Sequence, residues 1–134
     1  MVSQLANNVA SVAAAAVTSP IDIDDPEKGQ WGGLRETDSR RVSATVIDQG
    51  NGWFFVGITV AAVGASPLTG EVEFHLHPSF HPSVIRVPVK YGQAILKFPA
   101  WGPFTVGVSA DEGRTRLELD LAQLPDAPGV FRNC

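Results

Sequence analysis

The stretch EVEFHLHPSF, residues 71–80, alternates apolar and polar side chains and then breaks at Pro78. Alternation of this kind has the two-residue period of a β-strand that buries one face. Val72, Phe74 and Leu76 share the apolar face and are expected in the core. The stretch therefore predicts a half-buried strand that turns into a loop, and it indicates a β-type fold.

The same kind of pattern continues on both sides of this stretch, from Arg40 onward. Turn-forming residues separate apolar segments about every 8–12 residues, which is typical of an immunoglobulin-type sandwich. Helical periodicity is absent after residue 20, so a βαβ sheet is not expected. We predict an all-β, immunoglobulin-like antiparallel β-sandwich of about seven strands, with Pro88 on an edge strand. The predicted strands lie around residues 42–46, 53–63, 71–77, 84–89, 94–98, 104–108 and 115–121.

The beginning of the chain differs in composition from the rest. Residues 3–17 are rich in alanine and are predicted to form a short helix with Ser3 as its N-cap. We divide the chain into this helix with an acidic linker, residues 1–24, and a β domain, residues 25–134. The sequence Trp31-Gly32-Gly33 predicts a ring packed down against closely approaching backbone.

Composition limits the classes of function. Ten Lys and Arg residues stand against 14 Asp and Glu residues, so the chain lacks the basic footprint of a nucleic-acid binder. The apolar run 9–17 is too short to span a bilayer, and no basic residue precedes Lys28, which argues against a secretory signal. Cys134 is the one cysteine, so an internal disulfide is impossible. We expect a cytoplasmic protein without a cofactor that binds neither nucleic acid nor membrane.

The histidines of this region are compatible with a metal site. His75 and His77 lie two residues apart on a strand and therefore point to the same side. His81 follows the turn, and Glu73 shares the face. The plainer alternative is a pair of solvent-facing imidazoles, and we favour that alternative over a metal centre.

Ser79 lies close to histidines, as a nucleophile would need to. The chain has no Gly-x-Ser-x-Gly elbow, and no nucleotide-binding glycine loop is present. We therefore expect a protein that is not an enzyme.

Aromatic residues lie on two loops that end strands. Phe80 and Trp101 are flanked by Pro and Gly breaks and are candidates to hold a flat, neutral group such as an amide between two rings. For Trp53 and Phe104 we favour a place in the core.

Residues 72–80, followed by Pro82, resemble the Val-x-Phe-x-Leu-His-x-Ser-Phe signature of YEATS domains. Trp53 stands about where that family has a Trp opening its second strand. The resemblance covers about residues 40–124, and this first motif is fairly specific.

Three further segments resemble the same family. Residues 100–104, AWGPF, are similar to its Gly-Tyr/Trp-Gly/Ala-x-Phe loop, and residues 117–121 are similar to its closing strand. Residues 25–33, DPEKGQWGG, together with the compact loop after Phe80, most resemble the prokaryotic YEATS group.

The resemblance implies an immunoglobulin fold and a reader of acylated lysine. By position, Phe80 and Trp101 would flank the acyl amide, Ser79 would hydrogen-bond it, and His77 would support Ser79. The backbone around Trp101 and Gly102 would meet the acyl carbonyl. The expected ligand-binding residues are His77, Ser79, Phe80, Trp101, Gly102 and Phe104.

The chain departs from the eukaryotic pattern in the loop 48–52, which carries no aromatic ring. Trp31 is a candidate to supply the missing wall. For the prokaryotic group the resemblance implies a ligand-sensing or adaptor module in signalling or defence, with an acylated lysine peptide or a small molecule as ligand. The alternative is a protein-interaction module whose N-terminal helix binds an effector protein or a second copy, with the aromatic loops structural.

Overall fold

The computed structural model describes residues 21–134, and the predicted helix over residues 3–17 lies outside them. The described chain is built almost wholly of strands, with the short helix α1, Gly129–Arg132, near its end. No helix among these residues has the length and apolar character needed to cross a bilayer. The strands are β1 Glu36–Thr37, β2 Arg40–Gly50, β3 Trp53–Ala62, β4 Glu71–His75, β5 Val84–Pro88, β6 Gln93–Ala100, β7 Thr105–Ala110 and β8 Thr115–Asp120.

The strands form two antiparallel sheets, one in the order β1-β2-β3-β6 and the other in the order β5-β4-β7-β8. Each long strand turns alternate side chains into the space between the sheets. In β4, Val72 and Phe74 are fully buried, and Leu76 just beyond it is almost so. This apolar layer holds the sandwich together without a disulfide, since the one cysteine is free.

The predicted all-β sandwich is confirmed, and all seven predicted strand segments are present. Pro88 lies on β5, at the edge of its sheet, where its missing N–H breaks no ladder. The two-residue strand β1 was not predicted because so short a segment shows no periodicity. Asp111–Gly113 forms the tight 3-10 connection between β7 and β8.

Arg40 ties the two sheets together at one end of the sandwich. Its side chain is 5% exposed and donates to both carboxylate oxygens of Asp111 at 3.0 Å. It also donates to the carbonyls of Ser66 and Pro67, at 2.7 and 3.1 Å. These bonds satisfy a buried cation, which would otherwise carry a large desolvation cost.

Asp111 gives this arrangement a pH dependence. The hydrogen bonds from Arg40 hold the pKa of Asp111 below its ordinary value, against the opposing effect of burial, and Thr115 Oγ1 adds a further bond at 2.6 Å. A depressed pKa in the folded state means that the carboxylate stabilises the fold above its unfolded pKa. That stabilisation is lost as the pH falls through the folded pKa.

We predict that Asp111→Asn lowers the free energy of unfolding by about 1.5–3 kcal/mol at neutral pH. Asn also tolerates the positive φ of 53° at this position, so the substitution tests charge rather than backbone conformation. The measurement is urea unfolding from neutral pH down to acid, with the exposed Asp126→Asn as the control. The difference between wild type and Asp111→Asn should shrink below pH 4 or so, and a difference independent of pH would contradict the assignment.

Candidate functional site

A groove of about 480 Å³ opens at the other end of the sandwich, where β3 begins, β6 ends and β7 begins. The structure brings all six predicted ligand-binding residues to this groove. Of the other lining residues, Ala100 and Pro103 belong to the predicted loop of residues 100–104, Trp53 was predicted in the core, and Asp24 and Pro99 were missed. The groove is lined by Asp24, Trp53, His77, Ser79, Phe80, Pro99, Ala100, Trp101, Gly102, Pro103 and Phe104.

Pro78 and Ser79 form a tight turn that folds the chain back onto His77. The Phe80 N–H donates to the His77 carbonyl at 3.0 Å. The Ser79 Oγ lies 2.8 Å from His77 Nδ1, and the Ser79 backbone N–H donates to the same nitrogen at 3.1 Å. The hydroxyl is thus held on the groove wall by the imidazole.

The contact of the second ring nitrogen of His77, Nε2, shows which of the two nitrogens carries the imidazole proton. His77 Nε2 lies 3.1 Å from the carbonyl oxygen of Asp24, and a carbonyl can only accept. We therefore assign the imidazole proton to Nε2, which leaves Nδ1 as the acceptor of the Ser79 hydroxyl hydrogen. The lone pairs of Ser79 Oγ then remain available to a ligand, so this hydroxyl acts toward the groove as a hydrogen-bond acceptor.

Phe80 and Phe104 form the apolar floor of the groove, and Phe98 packs against both rings. The ring of Phe80 meets Phe98 and Phe104 at centroid distances of 5.2 and 5.3 Å, one edge-on and one tilted. Phe104 is 6% exposed, so its predicted place in the core is confirmed, although it also lines the groove. The imidazole of His77 approaches the Phe104 ring edge-on, at 6.3 Å.

Trp53 is not a core residue, and that prediction was wrong. Its indole is at the exposed first position of β3 and lies against Trp101, with the ring centroids 3.8 Å apart. The apolar run of β3 hid the phase of the strand, because Phe54 points inward while Trp53 and Phe55 point outward. The paired indoles form one wall of the groove, and Gly52 leaves room beside the Trp101 ring.

The segment before the first strand is fastened to the outside of the second sheet by Glu118. This carboxylate accepts the backbone N–H groups of Gly29, Trp31 and Gly33 at 2.9, 2.8 and 3.3 Å. The backbone N–H of Glu118 also donates to the Leu34 carbonyl at 2.8 Å. A largely buried carboxylate is stable here because main-chain donors replace its lost hydration.

Trp31 packs closely on this sheet, as its neighbouring glycines predicted, but it does not line the groove. Its ring lies on His75, with centroids 4.3 Å apart, and over Gly107, where any Cβ would overlap the indole. The guanidinium of Arg116 lies over the Trp31 ring, 4.6 Å from its centroid. The suggestion that Trp31 supplies the missing groove wall was therefore wrong, and that position belongs to Trp53.

The same segment reaches the groove through two aspartates. Asp25 accepts from the backbone N–H and the hydroxyl of Thr105, at 2.8 and 2.7 Å, at the first residue of β7. Asp24 provides the carbonyl that receives His77 Nε2. We call residues 22–33 the N-terminal strap, because they bind the sheet at Glu118 and fix His77 at their other end.

The histidines do not assemble a metal site. Residues 21–134 contain no group of three or more His, Cys, Asp or Glu side chains placed to hold a metal ion. His75 is not a plain surface residue, since Trp31 covers it and its Nε2 donates to Glu73 at 2.7 Å. Burial disfavours the Glu73 carboxylate, but hydrogen bonds from His75 and Arg86 outweigh it and hold the pKa of Glu73 below its ordinary value.

The family model of the prokaryotic YEATS domain matches residues 54–122 of the chain. The chain belongs to this family. The match includes β4, the turn with Ser79 and the loop with Trp101, but not the N-terminal strap or Trp53. No curated protein matches the chain. Membership in the YEATS family points to a reader-type binding module.

We predict that Gly107→Ala expels Trp31 and lowers the free energy of unfolding by about 1–3 kcal/mol, because the new methyl overlaps the indole. The measurement is urea unfolding together with the NMR signal of the Trp31 indole N–H, which donates to Glu27 at 2.8 Å. The control is Gly57→Ala, also in a strand, whose Cβ would lie 3.3 Å from Thr45 Oγ1. Equal effects of the two substitutions would contradict the close packing of Trp31.

Proposed function

We propose that this protein is a non-catalytic reader that binds an acylated lysine side chain in the groove of His77, Ser79, Phe80, Trp101, Gly102 and Phe104. The observation that carries the proposal is the fixed hydroxyl of Ser79, whose hydrogen is engaged by His77 and whose lone pairs face an aromatic groove. A side-chain amide N–H is the donor that such an acceptor suits.

The chemistry of the groove favours an acylated lysine over a free one. Acylation removes the positive charge of the lysine, so the modified side chain has a much smaller desolvation cost than an ammonium group. The phenylalanine floor and the indole wall offer apolar contact to the chain and to the acyl group. Among the described lining residues, Asp24 is the one with a carboxylate that an ammonium group could meet.

The acyl oxygen requires a donor, and the loop after β6 supplies main-chain N–H groups. Trp101 and Gly102 line the groove, and no described hydrogen bond uses their backbone N–H groups. A ligand amide would then be bonded on both sides, by Ser79 Oγ at its N–H and by this loop at its carbonyl. Two opposed hydrogen bonds fix the orientation of an amide plane.

The indole pair takes the place of the ring that the loop 48–52 lacks. Trp53 supports Trp101 from the outside of the sheet, so Trp101 presents a fixed face to the groove. We propose that the module serves ligand sensing or adaptor recognition in the cytoplasm of a prokaryotic cell, in signalling or defence. The predicted helix with its acidic linker, residues 1–24, and the β domain, residues 25–134, remain the proposed division of the chain.

We predict that peptides with acetyl-lysine or crotonyl-lysine shift the NMR signals of Ser79, Phe80 and Trp101, whereas the same peptide with unmodified lysine does not. Ser79→Ala should lower the affinity for the acyl peptides about three- to tenfold, which corresponds to the loss of one hydrogen bond. Ser109→Ala, on the outer face of β7, is the matched control. Equal binding of the unmodified peptide, or no shifts at these residues, would contradict the proposal.

A second prediction concerns the indole wall. Trp53→Ala should weaken binding of the same acyl peptides about three- to tenfold, because Trp101 loses its stacking partner. Phe55→Ala is the matched control, since Phe55 is on the same strand, is 39% exposed and does not line the groove. Isothermal titration with each variant measures the effect, and the role of the wall fails if Phe55→Ala weakens binding as much.

A further inference from the structure

The outer face of the sheet β1-β2-β3-β6 carries a row of exposed apolar side chains. Phe55 of β3 is paired with Ile47 of β2 on one side and with Pro99 of β6 on the other. Paired residues of neighbouring strands point to the same face, so these three side chains lie next to one another. Phe55 and Ile47 are 39% and 56% exposed, although both are large apolar groups. We call Ile47, Phe55 and Pro99 the apolar row.

The apolar row is continuous with the ligand groove. Pro99 belongs to both, because it also lines the groove. Trp53 is two residues before Phe55 and points to the same outer face, where it stacks on Trp101 in the groove wall. Two residues of a strand span about 6.7 Å, so the row begins about that distance from the indole pair. A contiguous exposed apolar surface beside a binding site is typical of a surface that contacts a partner.

A positive charge follows the apolar row along the sheet. Lys97 is exposed, lies two residues before Pro99 on β6, and is paired with Gly57 of β3. Its stem lies close to Gly57, since a Cβ at that glycine would be 3.8 Å from Lys97 Cγ. Among residues 21–134 the Lys97 ammonium group has no salt-bridge partner. This ammonium group is therefore available to a carboxylate of a ligand.

We propose that the apolar row and Lys97 bind the peptide on one side of the acylated lysine. This inference rests on the proposed function and adds a sequence preference to it. An extended peptide advances about 3.3 Å per residue and directs alternate side chains to one face. From an acylated lysine in the groove, the second residue along then lies on Phe55 and the fourth lies beside Lys97. The preferred ligand has an apolar residue two positions from the acylated lysine and an acidic residue four positions from it.

The order of these surfaces along the sheet favours a peptide over a small molecule. Groove, apolar row and ammonium group follow one another at the spacing of alternate residues in an extended chain. The ring of Phe55 between Ile47 and Pro99 offers apolar contact to an aliphatic side chain such as Leu. A carboxylate opposite Lys97 adds a smaller, salt-dependent contribution, because the pair is exposed to water. A small molecule bound in the groove alone would not extend to either surface.

Isothermal titration of the full-length chain with crotonyl-lysine peptides tests the apolar row. The reference peptide has glycine at every flanking position. Leu placed two positions before or two positions after the crotonyl-lysine is expected to raise the affinity about three- to tenfold on one of the two sides. Phe55→Ala should remove this gain and leave binding of the reference peptide unchanged. Ile95→Ala is the matched control, because Ile95 is 43% exposed on the same face but lies beyond Lys97 from the groove, and it should leave the gain intact.

The role of Lys97 is tested by charge reversal. Glu at the fourth position on the side of the Leu should raise the affinity about a further two- to fivefold at low salt. Lys97→Glu should abolish that gain and transfer it to a peptide with Lys at the same position. Lys90→Glu is the matched control, since Lys90 is an exposed lysine beside Gln93, at the end of β6 opposite to the groove.

The outcomes separate this inference from the proposed function. Failure of the reference peptide to bind would contradict the proposed function itself. Binding of the reference peptide without a gain from Leu on either side, or a gain that survives Phe55→Ala, would overturn the inference alone. So would a concentration-dependent dimer that Phe55→Ala dissociates in sedimentation velocity, since the apolar row would then contact a second copy of the chain.

Discussion

The carboxylate of Glu118 is the constraint on which the rest of the site depends. Three main-chain N–H groups of the N-terminal strap converge on it, so a segment without regular structure takes one defined course across the sheet. That course places Trp31 on Gly107 and brings the carbonyl of Asp24 to His77. A side chain on the last strand thereby determines which nitrogen of a distant imidazole carries its proton, and through it the acceptor character of Ser79.

Much of the fold could be predicted because its information is local. Alternation along residues 71–77 gives both the strand and its buried face, and the proline in β5 marks an edge. The phase of β3 could not be obtained in the same way, because apolar residues occupy both faces and Trp53 looks like core. The pattern outward, inward, outward from Trp53 to Phe55 becomes visible only when β2 and β6 fix the register.

The candidate site was predictable as a set of residues but not as a set of contacts. The signature around Ser79 and the loop around Trp101 are far apart in sequence. The family resemblance predicted that they form one site, and in the structure both line the same groove. The indole pair and the strap depend on contacts between residues far apart in the chain, such as Asp25 with Thr105. Hydrophobic periodicity does not reveal such contacts. The acidic and glycine-rich composition of residues 24–33 did indicate a segment that packs closely on the domain.

The bond between His77 and the Asp24 carbonyl also makes the strap and the groove thermodynamically linked. If Ser79 accepts a ligand N–H as proposed, binding favours the state in which His77 Nδ1 is an acceptor, and in the structure the strap contributes to that state through the Asp24 carbonyl. Because linkage is reciprocal, detachment of the strap would then weaken ligand binding by the same factor by which the ligand stabilises the seated strap. The strap therefore couples the N-terminal end of the described residues to the wall of the groove, through one hydrogen bond between Asp24 and His77.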